Sequence, residues 1–262
     1  MNDSEFLITG EYRRFIEFCE SCRSKQYIGV VYGKPGVGKT KSARQYTRWY
    51  LIEPLLGKPE HRRIPSSELA NCTAGFYTPD VYVTAKRLHS NVLRLRNKFD
   101  EVIDQAIMWH GNDYARSQYK AKRMDLLVVD EADRLKFQAL EHLRDLYDRG
   151  NLGIVLMGMP GFQKKLSRYA QLYSRVGFIY EFKPITNDEV RIFIAQKWQQ
   201  LGLPLSADDA VSSTIVRMVN GNFRSLHRIF TEIERLQKLN CLPIITPEVV
   251  ETARQSLLLG AT

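Results

Sequence analysis

The 262-residue sequence has no apolar run approaching the ~20 residues that a membrane-spanning helix needs. It also lacks the start of a secreted chain. Met1-Asn2-Asp3-Ser4-Glu5 carries acids where a signal peptide carries bases, and no apolar stretch follows. A cytoplasmic protein with no membrane partner is expected. Cysteine is scarce: Cys19 and Cys22 form one CxxC, while Cys72 and Cys241 stand alone. His61, His89, His110, His142 and His227 are scattered without ligand spacing. A structural zinc site usually needs a second pair or closely spaced histidines, so reduced, partly buried thiols are expected instead. No internal repeat and no low-complexity tract interrupts the chain.

The residues present suffice for a sizeable core. Apolar residues make up 44% and aromatics 11%, which excludes wholesale disorder. The length fits one large domain, or one plus a small companion. Charge is unevenly placed. The formal net charge is +9, from 38 bases and 29 acids, yet residues 199–262 hold six of each, so the surplus lies in residues 1–198. A one-sided basic surplus points to a polyanionic partner, nucleic acid rather than membrane; ordinary solubility charge is the alternative.

Hydrophobic spacing predicts a helix over about 10–24, with Thr9 as N-cap, and then a strand over 27–32 that runs into a glycine loop. A helix over 38–56 follows, then a strand at Val81-Tyr82-Val83, a basic helix over about 87–99 and another near 100–119. Asp125 to Asp130 is a continuous apolar run with acids at its ends, as expected of a parallel strand buried on both faces. A helix over 136–148, a strand over 153–158, a helix over 161–172 and a strand over 177–182 continue the alternation. Such alternation implies a doubly wound α/β fold with a parallel sheet. After Pro184 come four helical stretches, 187–201, 207–219, 222–239 and 247–258, opened by Thr186 or Asn187, Ser206 and Thr246. The predicted division is an α/β domain over 1–186 and a small all-helical domain over 187–262.

Gly33-Lys34-Pro35-Gly36-Val37-Gly38-Lys39-Thr40 fits G-x-x-x-x-G-K-[ST] between a strand and a helix. Its glycines let backbone N–H groups turn toward phosphate oxygens, and the helix N-terminus adds a favourable dipole. Lys39 is placed to reach the β- and γ-phosphates of ATP, and the Thr40 hydroxyl to bind Mg²⁺. About 90 residues later, Leu126 to Glu131 supplies the second half of the site. Asp130, at the tip of a buried strand, is the metal residue, and Glu131 is the acid to polarise attacking water. Two adjacent acids suggest hydrolysis by water rather than transfer to another acceptor. A simple helix cap is the plainer alternative.

The P-loop, Asp130-Glu131-Ala132-Asp133-Arg134-Leu135 and the helical tail with Gly221-Asn222-Phe223-Arg224-Ser225-Leu226 resemble an AAA+ ATPase. Val128 to Leu135, then a helix and Gly153-Ile154-Val155-Leu156-Met157-Gly158, is most similar to the ATPase subunits of DNA transposition systems. These are the TnsC and TniB group, with phage Mu B and IstB as more distant relatives, over roughly residues 25–240. The resemblance implies a three-layer αβα P-loop domain with a helical lid, and ATP and Mg²⁺ as cofactors. It implies catalytic roles for Lys39, Glu131 and Arg175. Arg175 would be a finger projecting into the neighbouring subunit's γ-phosphate, with Arg168 in reserve; a solvated surface arginine is the alternative. Arg224 matches the lid arginine that contacts the nucleotide in the same subunit, its alternative being an ion pair with Glu232 or Glu234. One departure stands out: Met159-Pro160 follows Gly158 where the family carries a hydroxyl or amide that positions water, which implies a slow timer rather than a motor, the alternative being that another residue supplies the contact.

Two segments without an acid carry the nucleic-acid case. One holds Lys86, Arg87, Arg94, Arg96 and Lys98; the other holds Arg116, Lys120, Lys122 and Arg123, with Tyr114 and Tyr119 close by. Contacts from such residues go mainly to phosphate and are salt-dependent. A solvated helix face is the alternative. Trp49, Trp109 and Trp198 are expected in the core or at an interface. The implied partners are double-stranded DNA, a transposase and a target-selection protein, with the chain acting as a homo-oligomer, ring or helical filament. A helicase-loader or replication-initiator ATPase is the competing reading, and a nucleotide-dependent signalling module without DNA is a third.

Overall fold

The computed structural model describes residues 6–57, 66–110, 124–202 and 209–259. They form two compact units: Arg14–Gly33 with Lys39–Phe182, and Met1–Arg13, Lys34–Gly38 and Lys183–Thr262.

The first unit is a parallel five-stranded sheet with helices. Its strands are β1 (Ile28–Tyr32), β2 (Ala74–Tyr77), β3 (Leu126–Val129), β4 (Gly153–Gly158) and β5 (Val176–Glu181), in the order β2-β3-β4-β1-β5. The apolar runs explain the order. β3 and β4 are buried throughout, with Val128 beside Phe76 on one side and Val155 on the other. Each fully buried side chain of this kind contributes roughly 1.5–3 kcal/mol over its exposed state. β5 is an edge strand, and its side chains alternate between half-buried and exposed. Helix α1 (Gly10–Lys25) starts where Thr9 Oγ1 accepts from the Tyr12 N–H at 3.1 Å. It then lays Phe15, Cys19 and Cys22 onto the sheet, all fully buried. The approach is close: a Cβ at Gly29 would lie 2.4 Å from Cys22 Sγ, so the strand needs glycine there.

Several local expectations differ from the structure. Val81-Tyr82-Val83 is not a strand; Val81 and Tyr82 are 63% and 92% exposed in the loop after β2. β-branched and aromatic residues satisfy strand propensity there without a neighbour to pack on, whereas Ala74–Tyr77 pairs with β3. The helix expected over 38–56 is two, α2 (Lys39–Tyr46) and α3 (Trp49–Ile52), because Arg48 takes a left-handed φ of +50°. The basic helix runs on as α4 (Ala85–His110), 26 residues long; residues 111–119 of the next expected helix lie outside the described residues. After α5 (Phe137–Arg149), the helix over 161–172 is split into α6 (Phe162–Leu166) and α7 (Ala170–Tyr173).

The second unit holds α8 (Asn187–Gln200), α9 (Asp209–Val219), α10 (Phe223–Asn240) and α11 (Pro247–Leu259). Thr186 opens α8 with a capping box: its Oγ1 accepts from the Glu189 N–H at 3.3 Å, and Glu189 Oε2 accepts from the Thr186 N–H at 2.9 Å. Val190, Phe193, Trp198, Ile215, Leu226, Phe230, Ile233 and Val250 form its core. The expected cap Ser206 lies outside the described residues. Trp49 and Trp198 are buried, but Trp109 is 63% exposed near the end of α4.

Candidate nucleotide site

In the α/β unit, polar groups gather where the strands end. β1 leads to Gly33, whose N–H donates to the Gly158 carbonyl at 3.3 Å, and α2 begins at Lys39. The Lys39 ammonium is buried and donates to the Gly33 carbonyl at 2.6 Å, so the two ends of the motif face each other. The Thr40 hydroxyl donates to Asp130 Oδ2 at 2.6 Å across 90 residues of sequence. Asp130 is 4% exposed, and its Oδ1 accepts from the Glu131 N–H at 2.9 Å. A buried carboxylate and a hydroxyl in contact form a hard-oxygen pair suited to Mg²⁺.

Glu131 follows with a left-handed φ of +50°, a conformation that costs a non-glycine residue roughly 1–2 kcal/mol. Its carboxylate is ion-paired to Arg134 across the 3₁₀ turn Ala132–Arg134. From α6, the Lys165 ammonium donates to the Asp133 and Leu135 carbonyls at 2.7 and 2.8 Å and pins that turn. At the tip of β4, Met159 is 40% exposed, and Gly158, Met159 and Pro160 offer no side-chain hydroxyl or amide.

In the helical unit, Lys34–Gly38 packs with the start of α10. Asn222 caps that helix, its Oδ1 accepting from the Arg224 and Ser225 N–H groups at 3.0 and 3.2 Å, while its Nδ2 donates to the Pro35 carbonyl at 3.2 Å. The Arg224 N–H also donates to the Gly36 carbonyl at 3.2 Å. Gly36 has a φ of +79°, and a Cβ there would sit 2.3 Å from Asn222 Oδ1, so both the turn and the neighbour require glycine. A cavity of about 530 Å³ opens beside this segment, lined by Lys34, Pro35, Val37, Pro184, Ile185 and Asn222 among others. That volume is within the usual range for small-molecule sites. The Arg224 side chain is exposed; Glu232 pairs instead with Arg235, and Glu234 with Lys238.

Arg175 stands at the opposite end of the strands from the P-loop. Its carbonyl accepts from the Ile28 N–H at 3.2 Å, at the start of β1, so the strand's length of about 16 Å separates it from Gly33. Its guanidinium is engaged by Asp148 of α5 at 3.2 and 3.3 Å and by the Gln171 carbonyl at 2.9 Å. Arg168 is exposed between α6 and α7.

The basic residues of α4 do not share one face. At about 100° per residue, Arg94 and Lys98 each fall within ~20° of Arg87, Lys86 lies ~100° away and Arg96 is on the opposite side. Lys98 donates to the Leu56 carbonyl at 2.8 Å, and Arg87 pairs with Asp80 at 3.4 Å. Arg116, Lys120, Lys122 and Arg123 lie outside the described residues.

No group of three or more potential metal-ligating His, Cys, Asp or Glu residues occurs among the described residues. Burial pushes the Cys22 thiol up to about 12 and raises Cys19 as well, so the CxxC is a pair of packed, unreactive thiols. Asn222, Lys165 and Arg134 were not singled out from sequence. An asparagine before a helix signals a cap, but nothing local signals its bond to Pro35, 187 positions away.

An AAA domain model matches residues 22–166. The chain is 40% identical to a Staphylococcus aureus protein described as a potential ATP-binding protein, over 98% of both chains. It is 27% identical to the ATP-dependent target DNA activator B of Escherichia phage Mu, over 80% of this chain and 61% of that protein. In fold it is similar to the RuvB Holliday junction branch migration motor of Thermotoga maritima, with a TM-score of 0.60 at 16% identity, covering 98% of this chain and 72% of that one. With its P-loop sheet, its helical unit and these relatives, the chain belongs to the AAA domain family.

Proposed function

We propose that this chain is an ATP-hydrolysing regulator of transposition that assembles on duplex DNA and delivers that DNA to a transposase, in the cytoplasm. The contact between Thr40 and Asp130 at 2.6 Å carries the nucleotide half of the proposal. It joins the two halves of a P-loop site through the groups that would hold Mg²⁺, which when bound neutralises charge on the β- and γ-phosphates. Lys39 exchanges the Gly33 carbonyl for phosphate oxygens. Within the helical unit, the cavity beside Lys34, Pro35 and Asn222 is the candidate nucleoside pocket and Arg224 the candidate nucleotide contact.

In the hydrolytic step a water oxygen bonds the γ-phosphorus as the bond to the bridging β–γ oxygen breaks. ADP leaves with that electron pair, and Glu131 takes the water's proton. Without a polar residue at the β4 tip to orient the water, the rate is slow, suiting a timer more than a motor. Arg175, about 16 Å from its own P-loop, serves a neighbouring copy, which couples hydrolysis to a homo-oligomer, ring or helical filament.

The transposition role rests on the likeness to the phage Mu activator and favours that reading over a helicase loader. DNA contacts are assigned to Lys86, Arg87 and Arg94 of α4, with Lys98 as a secondary contact because it already holds the Leu56 carbonyl. Arg116, Lys120, Lys122 and Arg123 are assigned to DNA on charge alone. The test separates binding from chemistry: Lys39→Ala abolishes ATP binding, whereas Glu131→Gln keeps binding and loses hydrolysis by about 10²–10⁴-fold. Wild-type hydrolysis by Glu131→Gln would remove the general-base role.

A further inference from the structure

The side chain assigned as the base already has a partner. Glu131 is the residue that opens the 3₁₀ turn Ala132–Arg134, and Arg134 closes it, so the carboxylate and guanidinium at its two ends meet in an ion pair. The turn is held from both sides. The Arg134 N–H donates to the Glu131 carbonyl at 3.1 Å, and Lys165 grips the Asp133 and Leu135 carbonyls. Backbone movement is therefore not the easy way to change where Glu131 points. The side chains are freer, at 43% exposed for Arg134 and 39% for Glu131, so water can replace either partner.

We propose that Arg134 is a positioning residue that restrains hydrolysis by holding the Glu131 carboxylate in this ion pair. A carboxylate whose oxygens are held by a guanidinium is turned away from the attacking water and cannot accept its hydrogen bond. Hydrolysis then proceeds from the minor population in which the pair has opened. Exposed ion pairs are weak, so the restraint amounts to a factor of about five at most. The inference rests on Glu131 being the base of the proposed ATPase.

The test uses the full chain, measuring steady-state ATP hydrolysis, ATP affinity and thermal melting for wild type, Arg134→Ala and Arg134→Lys. Arg134→Ala is expected to raise kcat by about three- to fivefold with KM and melting temperature unchanged. Arg134→Lys should fall between it and wild type, because an ammonium keeps the charge but not the planar fork. Rising salt screens an exposed pair, so the ratio of the Arg134→Ala rate to the wild-type rate should fall toward one. A purely structural arginine would instead lower melting temperature and leave that ratio independent of salt. An unchanged or lower kcat in Arg134→Ala overturns the restraint, and if that variant folds poorly, Arg134→Gln decides in its place. Glu131→Gln separates the two levels: should it hydrolyse ATP at the wild-type rate, the base assignment falls. With Glu131→Gln inactive, acceleration in Arg134→Ala but not in Arg134→Ala/Glu131→Gln supports restraint through Glu131.

Discussion

The two ends of the parallel strands are built for different purposes. Where the strands end, polar groups satisfy one another within a few ångströms: Lys39 with Gly33, Thr40 with Asp130, and Asp130 with the Glu131 N–H. Where the strands begin, Arg175 is tied down by Asp148 and Gln171. The first end has donors, acceptors and a buried carboxylate in one place, the requirements of a phosphate site. The second offers a cation with no phosphate site of its own, and the length of β1 keeps it from the first. If a cation from the start of β5 serves a nucleotide, it serves one bound to another copy.

Removing Arg175 tests this contrast most severely. Under the trans assignment, Arg175→Ala lowers hydrolysis by about 10³–10⁵ while sparing ATP affinity. It also abolishes the more-than-linear rise of rate with protein concentration expected of wild type, and the rise on adding DNA. Asp148→Asn removes the arginine's anchor but leaves its charge, so it should not reproduce the loss. Equal loss in both variants would make the ion pair, rather than a finger, the role of Arg175. Mixing Arg175→Ala with Lys39→Ala should restore activity, since mixed interfaces join an intact P-loop to an intact finger. If nothing is restored while mixed oligomers form, Arg168 is the next residue to test.

The two ends are also unequally legible in sequence. A P-loop needs glycines, Lys39 and Thr40 at fixed spacing because the chain must close around phosphate, and β3 needs an unbroken apolar run because both its faces are covered. Both constraints are local, so the pairing of Thr40 with Asp130 followed from motif order. Interactions such as Arg175 with Asp148, Lys165 with the Asp133 carbonyl and Asn222 with Pro35 depend on tertiary placement, and no local pattern encodes them. The strand expected at Val81-Tyr82-Val83 shows the same limit from the other side. Propensity describes a residue's fit to a pleated surface, and whether a neighbouring strand exists is decided elsewhere in the chain.

A smaller effect separates two faces of α4. If DNA lies along the face of Arg87 and Arg94, neutralising both should flatten the dependence of log K on log salt by about 1.8, at ~0.9 for each phosphate no longer neutralised. Arg96→Ala, on the opposite side of the helix, should leave the slope unchanged. Equal effects from the two faces would mean that charge alone matters and that α4 is not the docking surface. An unchanged slope in the double variant would move the DNA-binding surface to residues 116–123.

The smallest effect concerns Asn222, whose one side chain does two things. Its oxygen caps α10, and its nitrogen holds the Pro35 carbonyl of the P-loop segment. Asn222→Ala removes both, at about 1 kcal/mol for the cap, which lowers the melting temperature by a few degrees. Asn222→Ser separates the functions. A serine hydroxyl is a good N-cap, so melting should stay near wild type, but it is too short to reach Pro35. The loop would then be without a hydrogen bond that fixes its phosphate-binding shape, and ATP affinity should fall by about fivefold, the equivalent of one neutral hydrogen bond of ~1 kcal/mol. Wild-type affinity in Asn222→Ser would mean that the loop holds its shape without the lid, leaving Asn222 as a helix cap alone.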